Sequence, residues 1–206
     1  MNISVDGLTR SATIAVLLAV SCVSCTEVTE EPPSAIRLDP VTAIIDCFAT
    51  HQIVALGDWH GNVQLHDLRV ALLRDRRFPA AVNDIVVEFG GPQDQGTVDR
   101  YVNGGDVDNP ELRLVWGGSD APDAEEFLRV VRETNSGLPE DQRIRVVLGN
   151  TGAESTMEEE AALISAEVID HGRKALIIFG GGTVKGVSGR HLRLRGYRCS
   201  RHSCSV

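Results

Sequence analysis

Four short apolar runs, each followed by a glycine or a polar residue and each separated by a helical stretch, constrain this chain more than anything else in it. They are QIVAL (52–56), DIVVEFG with Glu88 near its end, RIRVVLGN, and KALIIFGGG. Between the first two, VQLHDLRVALLRDRRF spaces Leu65, Leu68 and Leu72 three and four apart, so one helical face is apolar. Pro79 is expected to stop that helix. Upstream, Asp39 and Pro40 read as the cap and first-turn residue of a helix over 40–49. A short helix is expected around Val98 to Val102, with loops after it. APDAEEFLRVVRETN predicts a helix with Pro122 in its first turn and Phe127, Val130 and Val131 facing inward, and STMEEEAALISAEVIDHG a helix ending at Gly172. Strand and helix alternating at this spacing imply parallel pairing with helices on both faces. The expected fold is therefore one α/β domain over 36–182, with a mainly parallel sheet of at least four strands. Such sheets bind ligands beyond the carboxyl ends of their strands. The loops at 57–62, 88–91, 149–151 and 180–183 all belong to that edge.

The two ends differ from this pattern. Residues 12–20 form an apolar run behind Arg10, too short to span a bilayer as a helix but suited to the apolar part of a secretory signal. Cys22 follows Ala19-Val20-Ser21, which resembles the lipid-attachment box of bacterial lipoproteins. Residues 1–22 thus read as a lipoprotein-type signal peptide and 23–35 as an acidic, proline-containing linker. The expected location is exported and membrane-anchored through a lipid on Cys22, on the periplasmic side, with a cytoplasmic protein as the runner-up. Residues 183–206 carry Lys185, five arginines and no acid, in a chain whose net charge is −9. The spacing of His191, Cys199, His202 and Cys204 matches no standard zinc finger. A poorly packed basic tail from a shifted or truncated frame is the reading adopted. Cys47 sits in an apolar pattern as a small hydrophobe. The acidic middle of the chain argues against a nucleic-acid partner, whose backbone selects a basic surface. The expected partner is a small-molecule ligand or substrate.

Chemistry concentrates in GDWHGN, 57–62. Gly57 and Gly61 permit a tight turn and a close backbone approach. His60 can take a proton near neutral pH, and Asp58 can orient it or share a metal with it. Trp59 is either cleft lining or packing. Glu88 closes an otherwise apolar strand, where a carboxylate facing the core would be costly unless paired. Its place at the strand end directs it toward the cleft instead. Arg69, nine residues beyond His60, is a candidate anion clamp or a partner for Glu88, and Asn150 is a lone polar loop residue.

On these residues the chain resembles the superfamily of erythromycin esterase-like proteins, the haem-binding uptake protein ChaN, and the TraB and Tiki proteins. Gly57-Asp58-Trp59-His60 matches its Gly-x-x-His loop and VVEFG its second strand ending in a Glu, at a spacing like that of the esterase branch. The resemblance implies His60 as general base, Glu88 as its acidic partner and Arg69 as a cleft-lining cation. It implies an ester hydrolase, metal-independent or metal-assisted, with a haem- or iron-complex-binding module as the alternative. Haem and a divalent metal are accordingly the two cofactor classes to consider. Two features depart from the family. The loop is a residue shorter than the Gly-Glu-x-x-His of the esterase branch, and no histidine follows the fourth strand before His191, so weak or no catalysis is expected. LGDWHGN also resembles the opening motif of calcineurin-like metallophosphoesterases, with Asp58 and His60 as metal ligands. There Asp106 and Asp108 are separated by one residue rather than two, and Thr151 replaces a histidine.

Overall fold

The computed structural model describes residues 39–59, 61–117, 122–150, 152 and 156–180. Four strands form one sheet in the order β1-β4-β2-β3: β1 Ile53–Asp58, β2 Asp84–Val87, β3 Arg145–Leu148 and β4 Ala175–Gly180. All three pairings are parallel. The α/β expectation and the parallel sheet flanked by helices are thereby met. Strand β4 is the last of these four in sequence yet lies between β1 and β2. Its residues therefore have neighbours from both earlier strands.

One face of the sheet carries most of the helices. Helix α1 (Pro40–Cys47) starts where Asp39 accepts the Thr42 amide at 2.9 Å and Pro40 fills the first turn. Helices α2 (Val63–Arg74), α4 (Gln95–Val102) and α6 (Pro122–Ser136) bury Leu72, Val98, Phe127, Val130 and Val131 in the same cluster as Val54, Leu56, Ile85, Val87 and Leu148 of the strands. The opposite face packs Val86, Val147, Ile177 and Phe179 against Ile164 of α7 (Met157–Ile164) and Val168 of the π-helical turn Ser165–Ile169 that continues it. Odd and even strand positions thus serve different cores, as the two-residue period of a strand requires.

Three expectations need correction. Pro79 does not end α2, which stops at Arg74. Asp75 is extended there, and its carboxylate takes the Arg77 amide and guanidinium. Pro79 instead sits in the first turn of a short helix α3, Phe78–Ala81, where a missing N–H costs nothing. The segment expected to be loop after Val102 contains helix α5, Asn109–Leu114, capped by Asp108, which accepts the Glu111 amide at 2.7 Å. The membrane assignment is also corrected: among the described residues no helix is long and apolar enough to cross a membrane. The residues on which that assignment stood, 12–20 and Cys22, lie outside the described residues, as does the whole tail from 181 onward with His191, Cys199, His202 and Cys204.

Polar groups fix the amino-terminal edge and one side of the sheet. Asp84, fully buried at the start of β2, receives two hydrogen bonds of 2.6 Å from Arg173. The bond to Asp84 raises the Arg173 pKa above its ordinary value. On the outer edge of β3, the Gln95 amide donates to Val146 O at 2.7 Å and accepts from Leu148 N at 2.9 Å. A side-chain amide thus stands where another strand would otherwise pair. The buried Asn135 does the same for Ile144, at 2.9 Å in each direction.

Candidate functional site

The carboxyl edge gathers acids around the last residue of β4. In register, Asp58 of β1 lies beside Gly180 of β4. On the other side of β4, the pairing of β2 ends at Val87 with Ile178, and Glu88 follows one residue later. The Gly180 N–H donates to Glu88 Oε2, so the carboxylate is held by the backbone of the neighbouring strand. A side chain at position 180 would crowd it, since an added Cβ would lie 3.0 Å from that oxygen.

Asp58 is held differently. Its Oδ2 accepts from Arg69 Nη1 at 3.2 Å, with both side chains about seven-eighths buried. Arg69 Nε also donates to Leu65 O at 3.3 Å, one turn back in α2. The second oxygen, Oδ1, is buried without a hydrogen-bond partner among the described residues. A buried carboxylate oxygen left without a donor costs free energy. At the end of a strand it is the kind of group a ligand or a reacting water can satisfy.

The structure therefore joins Arg69 to Asp58 and not to Glu88. No hydrogen bond or ion pair links Glu88 to Arg69 or Asp58 among the described residues. Alternation explains the separation. Val54 and Leu56 face the α2 side, and Asp58 continues their row. Val86 faces the α7 side, and Glu88 continues that row. The two acids approach the edge from opposite faces with Gly180 between them. His60 lies outside the described residues.

The surrounding loops are tied together through their backbones. Gly149 N–H donates to Val87 O at 2.8 Å, and Asn150 N–H to Gly90 O at 3.2 Å, which prolongs the β2–β3 pairing past both strand ends. Asn150 turns its side-chain oxygen to the Gly152 amide, 2.9 Å away, so it shapes the loop. Phe89 packs edge-on against Trp116 and Phe127, with centroids 6.4 Å apart in each case. Asn62 caps α2 by accepting the Leu65 amide at 3.1 Å. Asp108, one of the acids of the phosphoesterase resemblance, is spent on capping α5, and Asp106 is exposed in the preceding loop. Thr151 lies outside the described residues. Among the described residues no group of three or more His, Cys, Asp or Glu side chains is placed to hold a metal ion.

Two features escaped the sequence reading. His66 is buried in α2 with Nε2 3.0 Å from Glu126 Oε2 of α6. That hydrogen bond holds the Glu126 carboxyl below its ordinary pKa. The signal was present, since His66 shares the helical row of Val70 and Leu73 rather than that of the three leucines. The second is a cleft of about 370 Å³ at the amino-terminal edge, lined by Asn83, Asp99, Arg143, Arg145 and Arg173 among others. Its arginines at 145 and 173 are already paired with Glu167 and Asp84. The carboxyl edge, where among the described residues a buried acceptor lacks a donor and a carboxylate is met by a backbone amide alone, is the better candidate for chemistry.

These elements define an α/β protein with an acidic strand-end site at the carboxyl edge of a parallel sheet. Comparison with solved structures agrees on the fold. The type III effector HopBA1 is similar over 71% of this chain and 74% of that one, at 17% identity and a TM-score of 0.52. The C-terminal region of Pasteurella multocida toxin, described as having a thiol-protease like catalytic triad, is similar over 70% of this chain and 21% of that one, at 12% identity and a TM-score of 0.50. At such identities the likeness is one of fold alone. No protein-family model matches the sequence. No curated protein matches it either.

Proposed function

We propose that the carboxyl edge is the acid–base centre of an ester hydrolase of the erythromycin esterase and ChaN kind. The observation that carries this reading is the placement of Asp58 and Glu88 on either side of Gly180, at the strand edge where such sheets bind ligands. In the proposed reaction His60 takes a proton from water as the water oxygen adds to the ester carbonyl. The bond from the carbonyl carbon to the alcohol oxygen then breaks, and the proton passes to the departing alkoxide. Glu88 is the acidic partner of His60 in this reading. Arg69 holds Asp58 in place and offsets its charge. A metal-ion mechanism of the phosphoesterase type finds less support, because Asp108 caps a helix.

The test is hydrolysis of 4-nitrophenyl acetate by purified protein and by His60→Ala and Glu88→Gln. Each variant should lower kcat/KM about 10²–10⁴-fold where the lost group moves or stabilises a proton. Because no histidine follows β4 before His191, the starting rate should be low. Equal rates in all three proteins would remove the hydrolase reading. A haem absorption shift abolished by His60→Ala, without hydrolysis, would replace it with a binding module.

A further inference from the structure

Among the described residues three large apolar side chains stay exposed, and two of them, Trp59 and Val63, bracket the loop that leaves Asp58. Trp59 is 75% exposed and Val63 64%. The loop between them is held by hydrogen bonds. The Asn62 N–H donates to Trp59 O at 3.0 Å, Gly61 takes φ +75°, and Asn62 caps α2. An indole presented to water on such a turn gives up apolar burial that the described large apolar side chains achieve nearly everywhere else. Continuing the alternation of β1 one residue past its end turns Trp59 to the face opposite Asp58, the face along which Val86 and Glu88 follow one another.

Charge narrows what can bind there. Arg69 is engaged by Asp58. Glu88 is met by a backbone amide and by no described cation. Among the described residues this edge therefore carries a carboxylate without a cation at the same strand ends as an open aromatic ring, in a chain of net charge −9. That combination repels anions and favours a ring-bearing group that is uncharged or cationic, through stacking and cation–π attraction.

We propose that Trp59, with Val63 at the other end of its loop, is the contact that selects ligands carrying a flat apolar ring without negative charge. This rests on the reading of the carboxyl edge as the ligand site. It makes Trp59 a specificity-determining residue rather than part of the proton transfer.

The experiment has two arms on the full chain. Ligand-observed NMR measures binding of benzyltrimethylammonium, benzyl alcohol and benzoate, which share one ring and differ in charge. The expected order of affinity is cation, then alcohol, then anion, with about tenfold or more between the extremes at low salt and less at high salt. Trp59→Ala should weaken the first two about 3- to 10-fold, and Trp59→Phe should recover most of that. In the second arm, the ratio of kcat/KM for benzyl acetate to that for ethyl acetate should fall by a similar factor in Trp59→Ala. Benzoate binding as tightly as benzyltrimethylammonium, or Trp59→Ala leaving both the affinities and the ratio unaltered, would overturn the proposal. Glu88→Gln separates the two levels of the argument. If it leaves ester turnover unaffected while Trp59→Ala still weakens binding, the hydrolase reading fails and the ring contact stands.

Discussion

The Asp58–Arg69 pair can be measured by a thermodynamic cycle of Asp58→Ala, Arg69→Met and the double variant. Exposed ion pairs contribute about 0.2–1 kcal/mol, whereas breaking a fully buried pair costs about 3–5 kcal/mol. This pair has side chains 13% and 14% exposed and a single 3.2 Å hydrogen bond, which places its coupling between those limits, at about 2 kcal/mol. Arg69→Met alone should be the worse of the two single changes. Among the described residues it leaves a carboxylate whose Oδ1 already lacks a partner with no donor at Oδ2 either, whereas methionine keeps the aliphatic stem packed. Urea unfolding at pH 7 gives the free energies. For a chain of this size a 2 kcal/mol loss corresponds to about 4–8 °C in Tm. Because the pair is mostly buried, the coupling should survive added salt. Coupling below about 0.5 kcal/mol would refute the claim that Arg69 is committed to Asp58, and would return it to the role of a free anion clamp.

Other consequences follow from single contacts. Arg173→Met should cost about 3–5 kcal/mol in urea unfolding, because it strands the fully buried Asp84 carboxylate. Replacing both Asp84 and Arg173 with apolar residues should recover much of that loss. The Asp75 carboxyl, held by the Arg77 guanidinium and amide, has its pKa lowered from 3.8 to about 2. It therefore favours the folded state above 3.8, and this contribution is lost as pH falls through about 2. NMR titration should show that midpoint, moving back up in Arg77→Met.

The layout was legible in the sequence wherever a local pattern fixed it. The apolar runs placed all four strands, and Asp39-Pro40 placed the start of α1, because capping and burial act over a few residues. Helix α5 carried the same kind of signal, Asp108 before Pro110, but a loop rich in Gly and Asp hid it. The site was legible only as far as its edge. Which acid meets which partner depends on strand order, and β4 enters between β1 and β2 only in three dimensions. Chain order would make Glu88 a neighbour of Asp58. The inserted strand makes both of them neighbours of Gly180 instead. The choice of Arg69 between the two acids then follows from the face each occupies, a matter of strand parity that becomes decisive only once α2 is known to cover the Asp58 face.

Two glycines at this edge should respond differently to the same added methyl group. At Gly149 a Cβ would meet the Phe179 ring at 2.6 Å and the Val87 carbonyl oxygen at 2.9 Å. The second of these is backbone, and the first is a buried ring in the core of the α7 face, so neither can yield cheaply. Gly149→Ala should therefore destabilise by about 1–3 kcal/mol, the usual cost of overpacking. It should also disturb the site, because Phe179 immediately precedes the residue whose amide holds Glu88. At Gly180 the three nearest atoms an added Cβ would meet all belong to the Glu88 carboxyl, the first at 3.0 Å, and a side-chain end held by one hydrogen bond can swing away. Gly180→Ala should then cost little stability while displacing Glu88, so its effect on ester turnover should exceed its effect on unfolding. Urea unfolding and hydrolysis measured side by side distinguish the two. If Gly180→Ala proved the more destabilising, or left turnover untouched while Glu88→Gln abolished it, the hydrogen bond from Gly180 would not be what positions Glu88.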